Sequence, residues 1–351
     1  MTSPTSDDRV AERVSDLTPA WLSHALGVEV RAVTAEPIGA GQTGASYRLA
    51  LDTPTGPATM VAKLAAGDDA SRRRVAAGYR SEVGFYTQLV ATLEVRTPAC
   101  RYGAITGDAL DFTLLLDDLA PRVPGVQVDG CSVVQAQDAV RNLAGLHASR
   151  WNDPTLFDLD FVARTTEKRA QFLGDILAVA TEEFVVRYAA ELTDSEVATL
   201  RASAAAITRW QLSRPEPFAV VHGDYRLDNL MFHPRARGVV ALDWQTVTVG
   251  LPTRDLAYFL GTSLATEMRR EAEAHLVDAY HRELVGHGVE DYDAVRCFDD
   301  YRLGQLQGPM ITVLGCIYAP AARSVEADRM FLAMIRRSCA AIRDLDSIGA
   351  I

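Results

Sequence analysis

Residues 218–245, FAVVHGDYRLDNLMFHPRARGVVALDWQ, concentrate the chemistry of this chain. His222-Gly223-Asp224 follows an apolar run, Asn229 stands five positions after Asp224, and Asp243 closes a second apolar run, VVALD. One carboxylate can take or orient the proton of an acceptor hydroxyl, as Asp224 is placed to do. An amide oxygen and a further carboxylate suit a hard cation that prefers oxygen ligands, so Asn229 and Asp243 are the candidate ligands for Mg²⁺ on a nucleoside triphosphate. A transition-metal reading of the same loop would use His222, Asp224 and His233, but no fourth ligand is evident and the gap to His233 is long. His222 is read instead as a brace for the loop backbone. Asp255, which opens a helical stretch in LPTRDLAYFL, is either an ordinary helix-start acid or a buried brace for the catalytic loop.

Phosphoryl transfer asks for three further parts: a phosphate cradle, a cation, and a partner that holds the cation. The cradle candidate is Gly39-Ala40-Gly41-Gln42-Thr43-Gly44 between two predicted strands, where Gly39, Gly41 and Gly44 let backbone approach phosphate oxygens. It precedes a strand rather than a helix, which argues against a dinucleotide fold. Taken alone, such a loop is more often a plain hairpin turn. Lys63, inside the apolar strand MVAKL, is the candidate cation, and the alternative is a surface lysine whose stem lies along a half-exposed strand. Glu82, on the helix that follows, is the candidate partner, its assignment resting on helix register. His147 reads as a core or boundary histidine.

Around these residues the periodicity changes along the chain. Thr18-Pro19 begins a short helix that Gly27 can end. Alternation predicts strands near 28–38, 46–52, 58–66, 99–105 and 110–117, with helical spacing over 70–94. That is a small antiparallel sheet with one helix. Beyond Asp117-Asp118-Leu119-Ala120-Pro121 the pattern is mainly helical, over 132–151 and about 168–190, 193–212, 255–266, 268–287, 296–315 and 325–346. The expected organisation is an N-terminal arm and short helix over 1–27, a nucleotide-binding lobe over 28–118, and a catalytic lobe over 119–351.

Composition bounds the partners. The 351 residues are 48% hydrophobic and 23% charged, which suits one large or two ordinary globular domains. A net charge of −11 repels phosphate backbones, so nucleic acid is not an expected partner. The five cysteines are scattered and never spaced as a metal or redox pair. No signal peptide and no membrane-spanning apolar stretch is visible, so the expected location is the cytoplasm, with no membrane partner.

HGDYRLDNLMF followed by VVALDWQ resembles the aminoglycoside phosphotransferase (APH-like) family of small-molecule kinases. LLLDDLAP resembles the family's hinge, NLAGLHA the helix after it, and GLPTRDLAYFL the segment after the metal aspartate. The resemblance runs from about residue 30 to 320. It implies an α+β, bilobed, protein-kinase-like fold, with a small N-terminal antiparallel sheet plus helix and a larger, mainly helical C-terminal lobe. It further implies Asp224 as catalytic aspartate and Asn229 and Asp243 as Mg²⁺ ligands. Lys63 would lie on the α- and β-phosphates with Glu82 holding it, and the Gly39, Gly41 and Gly44 loop would lie over the phosphates. The backbone of Leu116, Asp117, Asp118 and Leu119 would meet the adenine. The implied cofactors are ATP, with GTP as the alternative, and Mg²⁺. Trp-Gln follows Asp243 where protein kinases have Phe-Gly, and His-Gly-Asp replaces His-Arg-Asp, which favours a small-molecule enzyme without activation-loop control. The expected activity is transfer of the γ-phosphate to a hydroxyl of a metabolite, xenobiotic or antibiotic. The alternatives are a non-catalytic nucleotide- or ligand-binding protein on the same scaffold, and a protein kinase. Glu182, Glu183, Asp299 and Asp300 could face a cationic acceptor but read better as solvated helix faces. Trp151, Tyr188, Trp210 and Tyr301 read better as core than as pocket walls. Nothing in the chain fixes the oligomeric state.

Overall fold

The structure, a computed structural model, describes residues 10–39, 44–162, 165–318 and 324–351. The chain divides into two compact units. The first comprises Met1–Ala91, Thr97–Ala120 and Asp243–Thr246, and the second Thr92–Arg96, Pro121–Leu242 and Val247–Ile351.

In the first unit, α1 (Pro19–Leu26) starts where the Thr18 hydroxyl accepts from the Trp21 amide at 3.2 Å and ends at Gly27, whose φ of +68° suits glycine. A five-stranded antiparallel sheet follows, in the order β1-β2-β3-β5-β4. Its strands are β1 (Ala32–Ile38), β2 (Gly44–Thr53), β3 (Gly56–Ala65), β4 (Cys100–Ile105) and β5 (Phe112–Asp117). Alternation in β3 puts Met60, Ala62 and Leu64 into an apolar cluster with Leu22, Leu49, Leu51 and Leu115, and turns Lys63 to the opposite face. α2 (Asp69–Gly84) is capped by Asp68, which accepts from the Ser71 amide at 2.8 Å. The helical stretch expected over 70–94 is not one regular helix. It passes at Phe85–Leu89 into a π turn, where the Thr87 hydroxyl takes the Val83 carbonyl at 2.7 Å.

The second unit is mainly helical. It contains α3 (Val133–Ala148), α4 (Glu167–Arg187), α5 (Asp194–Leu212), α6 (Thr253–Ser263), α7 (Thr266–Gly286), α8 (Ala294–Gly304), α9 (Gln307–Tyr318) and α10 (Val325–Asp344). Small ladders lie among them: β6 (Val123–Pro124), β8 (Leu230–Phe232) and β9 (Val239–Ala241) form one, and β7 (Ala219–Val221) pairs with β10 (Thr248–Gly250) in another. All of α6 is buried, so it is the axis of the unit. The single helix expected over 296–315 is two. Pro309 has no N–H to give and falls in the first turn of α9, where none is required. Gly304, at the end of α8, has no room for a side chain, since a Cβ there would stand 2.7 Å from the Thr253 carbonyl. Tyr188, Trp210 and Tyr301 are buried, as core packing requires, and Trp151 is half-buried.

Candidate active site

The loop that carries Asp224 begins where the wholly buried β7 runs out. Gly223 takes a φ of +84°, which turns the chain toward Asp224. The loop backbone is held from beneath. Asp255, on the first turn of α6, accepts from the amides of His222 at 2.5 Å and Gly223 at 2.9 Å. The Gln307 side-chain amide donates to the Gly223 carbonyl at 3.0 Å. His222 Nδ1 accepts from the Asp224 amide at 3.3 Å, which leaves Nε2 to donate to the Leu242 carbonyl at 2.9 Å. His147 lies under Asp255, with Nε2 3.4 Å from Oδ2 and Nδ1 2.6 Å from the Tyr280 hydroxyl. Burial pushes His147 below the ordinary histidine range, against the pull of Asp255.

The Asp224 carboxylate is fixed at both oxygens. Oδ1 accepts from the Tyr258 hydroxyl at 2.8 Å, and Oδ2 from Asn229 Nδ2 at 3.0 Å and Arg226 Nε at 3.2 Å. Its side chain is still 23% exposed. Burial, followed by the Asp224 charge, raises the Tyr258 phenol well above its ordinary range, so it serves as a donor and not as a base. Burial opposes the Arg226 charge, and Asp224 and Asp228 more than offset it. Asn229 spends its amide hydrogens on Asp224, on Oδ2 and on the main-chain carbonyl at 2.9 Å, which leaves its side-chain oxygen as the atom for a hard cation. Its main-chain carbonyl accepts from the Leu242 amide at 2.8 Å. Asp243 is the next residue along.

In the first unit, Lys63 Nζ lies 2.6 Å from Glu82 Oε1 and 3.5 Å from Asp243 Oδ1, and Gln245 Nε2 holds the other Glu82 oxygen at 3.2 Å. Lys63 is 14% exposed, Glu82 1% and Asp243 43%. Burial works against the Lys63 ammonium, but the charges of Asp243 and Glu82 outweigh it, so the lysine stays a cation. Burial raises Glu82, and Lys63 draws it back. Gly39 ends β1 with a φ of +69°. Gly44 begins β2, where a Cβ would stand 3.2 Å from the Leu64 carbonyl and 3.3 Å from Lys63 Cε. Gly41 lies outside the described residues. Leu116 and Asp117 finish β5; the Asp117 amide donates to the Ala99 carbonyl at 2.9 Å and its carboxylate accepts from Arg101. Asp118 and Leu119 lie beyond the strand, with Asp118 held by Arg48 at 2.9 Å.

Sequence reasoning did not single out Tyr258, Arg226, Gln245 or Gln307. Tyr258 lies three residues after Asp255 on one helix face, which is the signal that could have found it. Glu182 pairs with Arg201, and Asp300 is buried against Arg214 and Tyr292 rather than solvated. Among the described residues no cluster of three or more His, Cys, Asp or Glu could hold a metal ion, which removes the transition-metal reading for them. The side-chain oxygen of Asn229 and the carboxylate of Asp243 are each of the hard-donor kind that Mg²⁺ takes. Among the described residues no helix is long and apolar enough to cross a membrane.

A profile of the phosphotransferase enzyme family (APH) matches residues 34–298. The chain belongs to that family. Over 89 residues, 24% of its length, this chain is 38% identical to acyl-CoA dehydrogenase family member 10 of Mus musculus, and the match spans 8% of that relative. Among solved structures it resembles an ethanolamine kinase of Plasmodium vivax, with a TM-score of 0.55 and 12% identity over 88% of this chain and 83% of that one. It also resembles a GDP complex of aminoglycoside 2'-phosphotransferase-IIIa, with a TM-score of 0.54 and 14% identity over 88% and 93% of the two chains. These neighbours show a protein-kinase-like fold.

Proposed function

We propose that this phosphotransferase moves the γ-phosphoryl group of ATP or GTP to a hydroxyl of a small molecule. The observation that carries the reading is the Asp224 carboxylate, held by Tyr258, Arg226 and Asn229 and still partly exposed. A carboxylate so fixed orients an incoming hydroxyl and accepts its proton. The acceptor oxygen then bonds to the γ-phosphorus as the bond to the β–γ bridging oxygen breaks, and that oxygen leaves with the electron pair on the nucleoside diphosphate. Lys63, kept charged and held by Glu82, would lie on the α- and β-phosphates. Gly39, Gly41 and Gly44 would let the backbone close over the phosphates, and the stretch from Leu116 through Asp117 and Asp118 to Leu119 would meet the base. Asn229 and Asp243 would hold Mg²⁺, which when bound supplies neutralisation of the charge on the phosphate oxygens.

The test is Mg²⁺-dependent nucleotide consumption, together with thermal shift, across a panel of acceptors. Amino alcohols and aminoglycosides belong in it, because the solved neighbours act on ethanolamine and aminoglycosides. Sugars, nucleosides and a hydroxylated acyl-CoA complete it, the last because acyl-CoA is in the name of the mouse relative. GTP is run beside ATP, since one neighbour holds GDP. Turnover with one acceptor class that vanishes in Asp224→Ala and Asp243→Ala supports the proposal. Turnover that survives either change sinks it, and nucleotide binding without turnover on any acceptor favours a non-catalytic role.

A further inference from the structure

The helical unit carries a cavity that takes no part in the chemistry above. It has a volume of about 270 Å³ and is walled by Phe157, Gln211, Arg214, Phe218, Leu251 and Arg254, among others. Phe218 precedes β7 and Asp224 follows it, so the cavity opens at the end of that strand remote from the catalytic carboxylate.

Its distinguishing group is Arg254, whose side chain lies flat over the Trp210 ring at 4.0 Å and is 8% exposed. The guanidinium donates to the Gln211 side-chain oxygen at 3.0 Å and to the main-chain carbonyls of Trp210 and Gln211 at 3.3 and 3.4 Å. Nε is buried and donates to nothing. Among the described residues no carboxylate hydrogen-bonds to Arg254. The neighbouring Asp255 has both oxygens committed to the amides of His222 and Gly223. The last-turn carbonyls of α5 offset part of the positive charge. Burial pushes the Arg254 guanidinium down to about 10, against the pull of the Asp255 charge. Arg214 adds a second guanidinium on the wall, paired with Asp300 at 3.1 Å. Apart from Thr165 and Gln211, the remaining lining side chains are aromatic or aliphatic.

We propose that this cavity binds a small carboxylate with an apolar body, its anionic end toward Arg254 and Arg214 and its apolar part against the face made by Phe157 and Phe218, whose rings pack on each other with centroids 5.0 Å apart. The size argues for a compact ligand, because pockets for drug-sized molecules start at roughly 300 Å³. A charge-assisted, planar pairing of guanidinium with carboxylate supplies the anion end, and the two phenyl rings supply the rest.

Benzoate is the probe and benzamide its uncharged isostere. Calorimetric titration of the full chain is compared with Arg254→Gln, which removes the charge, and Phe157→Ala, which alters a half-buried wall and leaves the buried arginine in place. Benzoate should bind, benzamide should bind about tenfold more weakly or not at all, and both variants should lose about tenfold in benzoate affinity. If Arg254→Gln does not fold, the benzoate–benzamide difference and Phe157→Ala still decide. Equal binding of the two probes, unchanged affinity in Phe157→Ala, or no heat with benzoate overturns the proposal.

Discussion

Tyr258→Phe is the sharpest test of how Asp224 is made ready. The change removes one oxygen and keeps the ring, which is 1% exposed and sits in the wholly buried α6. The lost contact is a 2.8 Å hydrogen bond to a carboxylate oxygen. Bonds to charged groups contribute about 1.5–3 kcal/mol, which on a transition state converts to about 13-fold to about 160-fold in rate. The lower end is expected, because Arg226 and Asn229 still grip Oδ2 at 3.2 and 3.0 Å and restrict the carboxylate to a pivot about that oxygen. Asp224 is 23% exposed, so water can take the place of the phenol and no buried acceptor is orphaned. Stability should therefore change by less than about 1 kcal/mol. The assay is kcat and both KM values with the best acceptor from the panel, alongside a thermal melt. The fall should sit in kcat, with the nucleotide KM unchanged. A folded variant with kcat within about twofold of wild type, or a loss confined to the nucleotide KM, refutes the reasoning.

Glu82→Gln breaks the buried pair with Lys63; such a loss costs roughly 3–5 kcal/mol, and Asp243 at 3.5 Å should hold it at the low end, read by urea melts, with a raised nucleotide KM as the functional mark. His147 is held below its ordinary range by burial, so the unfolded chain takes up a proton near pH 6.5 that the native state refuses, and stability should fall as pH drops through that value. Melting temperatures at pH 7.5 and 5.5 should differ more for wild type than for His147→Gln, and equal differences would count against this origin. Asp243→Asn and Asp243→Ala should both lose Mg²⁺-dependent turnover, with the alanine variant melting lower than the asparagine one.

What could be read from the chain alone follows a physical divide. The start and stop of α1 were legible because Thr18, Pro19 and Gly27 act on their own backbone. Lys63 was legible because a charge inside an apolar strand must be answered by something, and the register of α2 puts Glu82 there. The break between α8 and α9 had a local signal that was passed over, the Gly308-Pro309 pair, since Pro309 has no N–H to give and suits only the first turn of a helix. The π turn after α2 accompanies the stacking of Phe85 on Trp244, with centroids 3.7 Å apart, and nothing in residues 70–94 announces it. Tyr258 was invisible for a similar reason. A tyrosine on a buried helix looks like core until the loop it faces is known. Asp300 misled in the other direction: its acidic neighbourhood suggested a solvated face, whereas Arg214 and Tyr292 allow it to be buried.

Asp243 joins two kinds of support. Leu242, before it, belongs to the helical unit and is held by the Asn229 carbonyl on one side and by His222 Nε2 on the other. Trp244, after it, belongs to the sheet unit, stacked on Phe85 and donating to the Thr97 hydroxyl at 3.2 Å. Asp243 itself takes a φ of +62°, a left-handed conformation that disfavours most side chains by roughly 1 kcal/mol and that Asn and Asp tolerate best. A glycine there would meet the backbone demand at lower cost. The position nonetheless carries a carboxylate, 43% exposed and 3.5 Å from the Lys63 ammonium. This is why the asparagine and alanine variants separate the two contributions: asparagine keeps the shape and loses the charge, and alanine loses both.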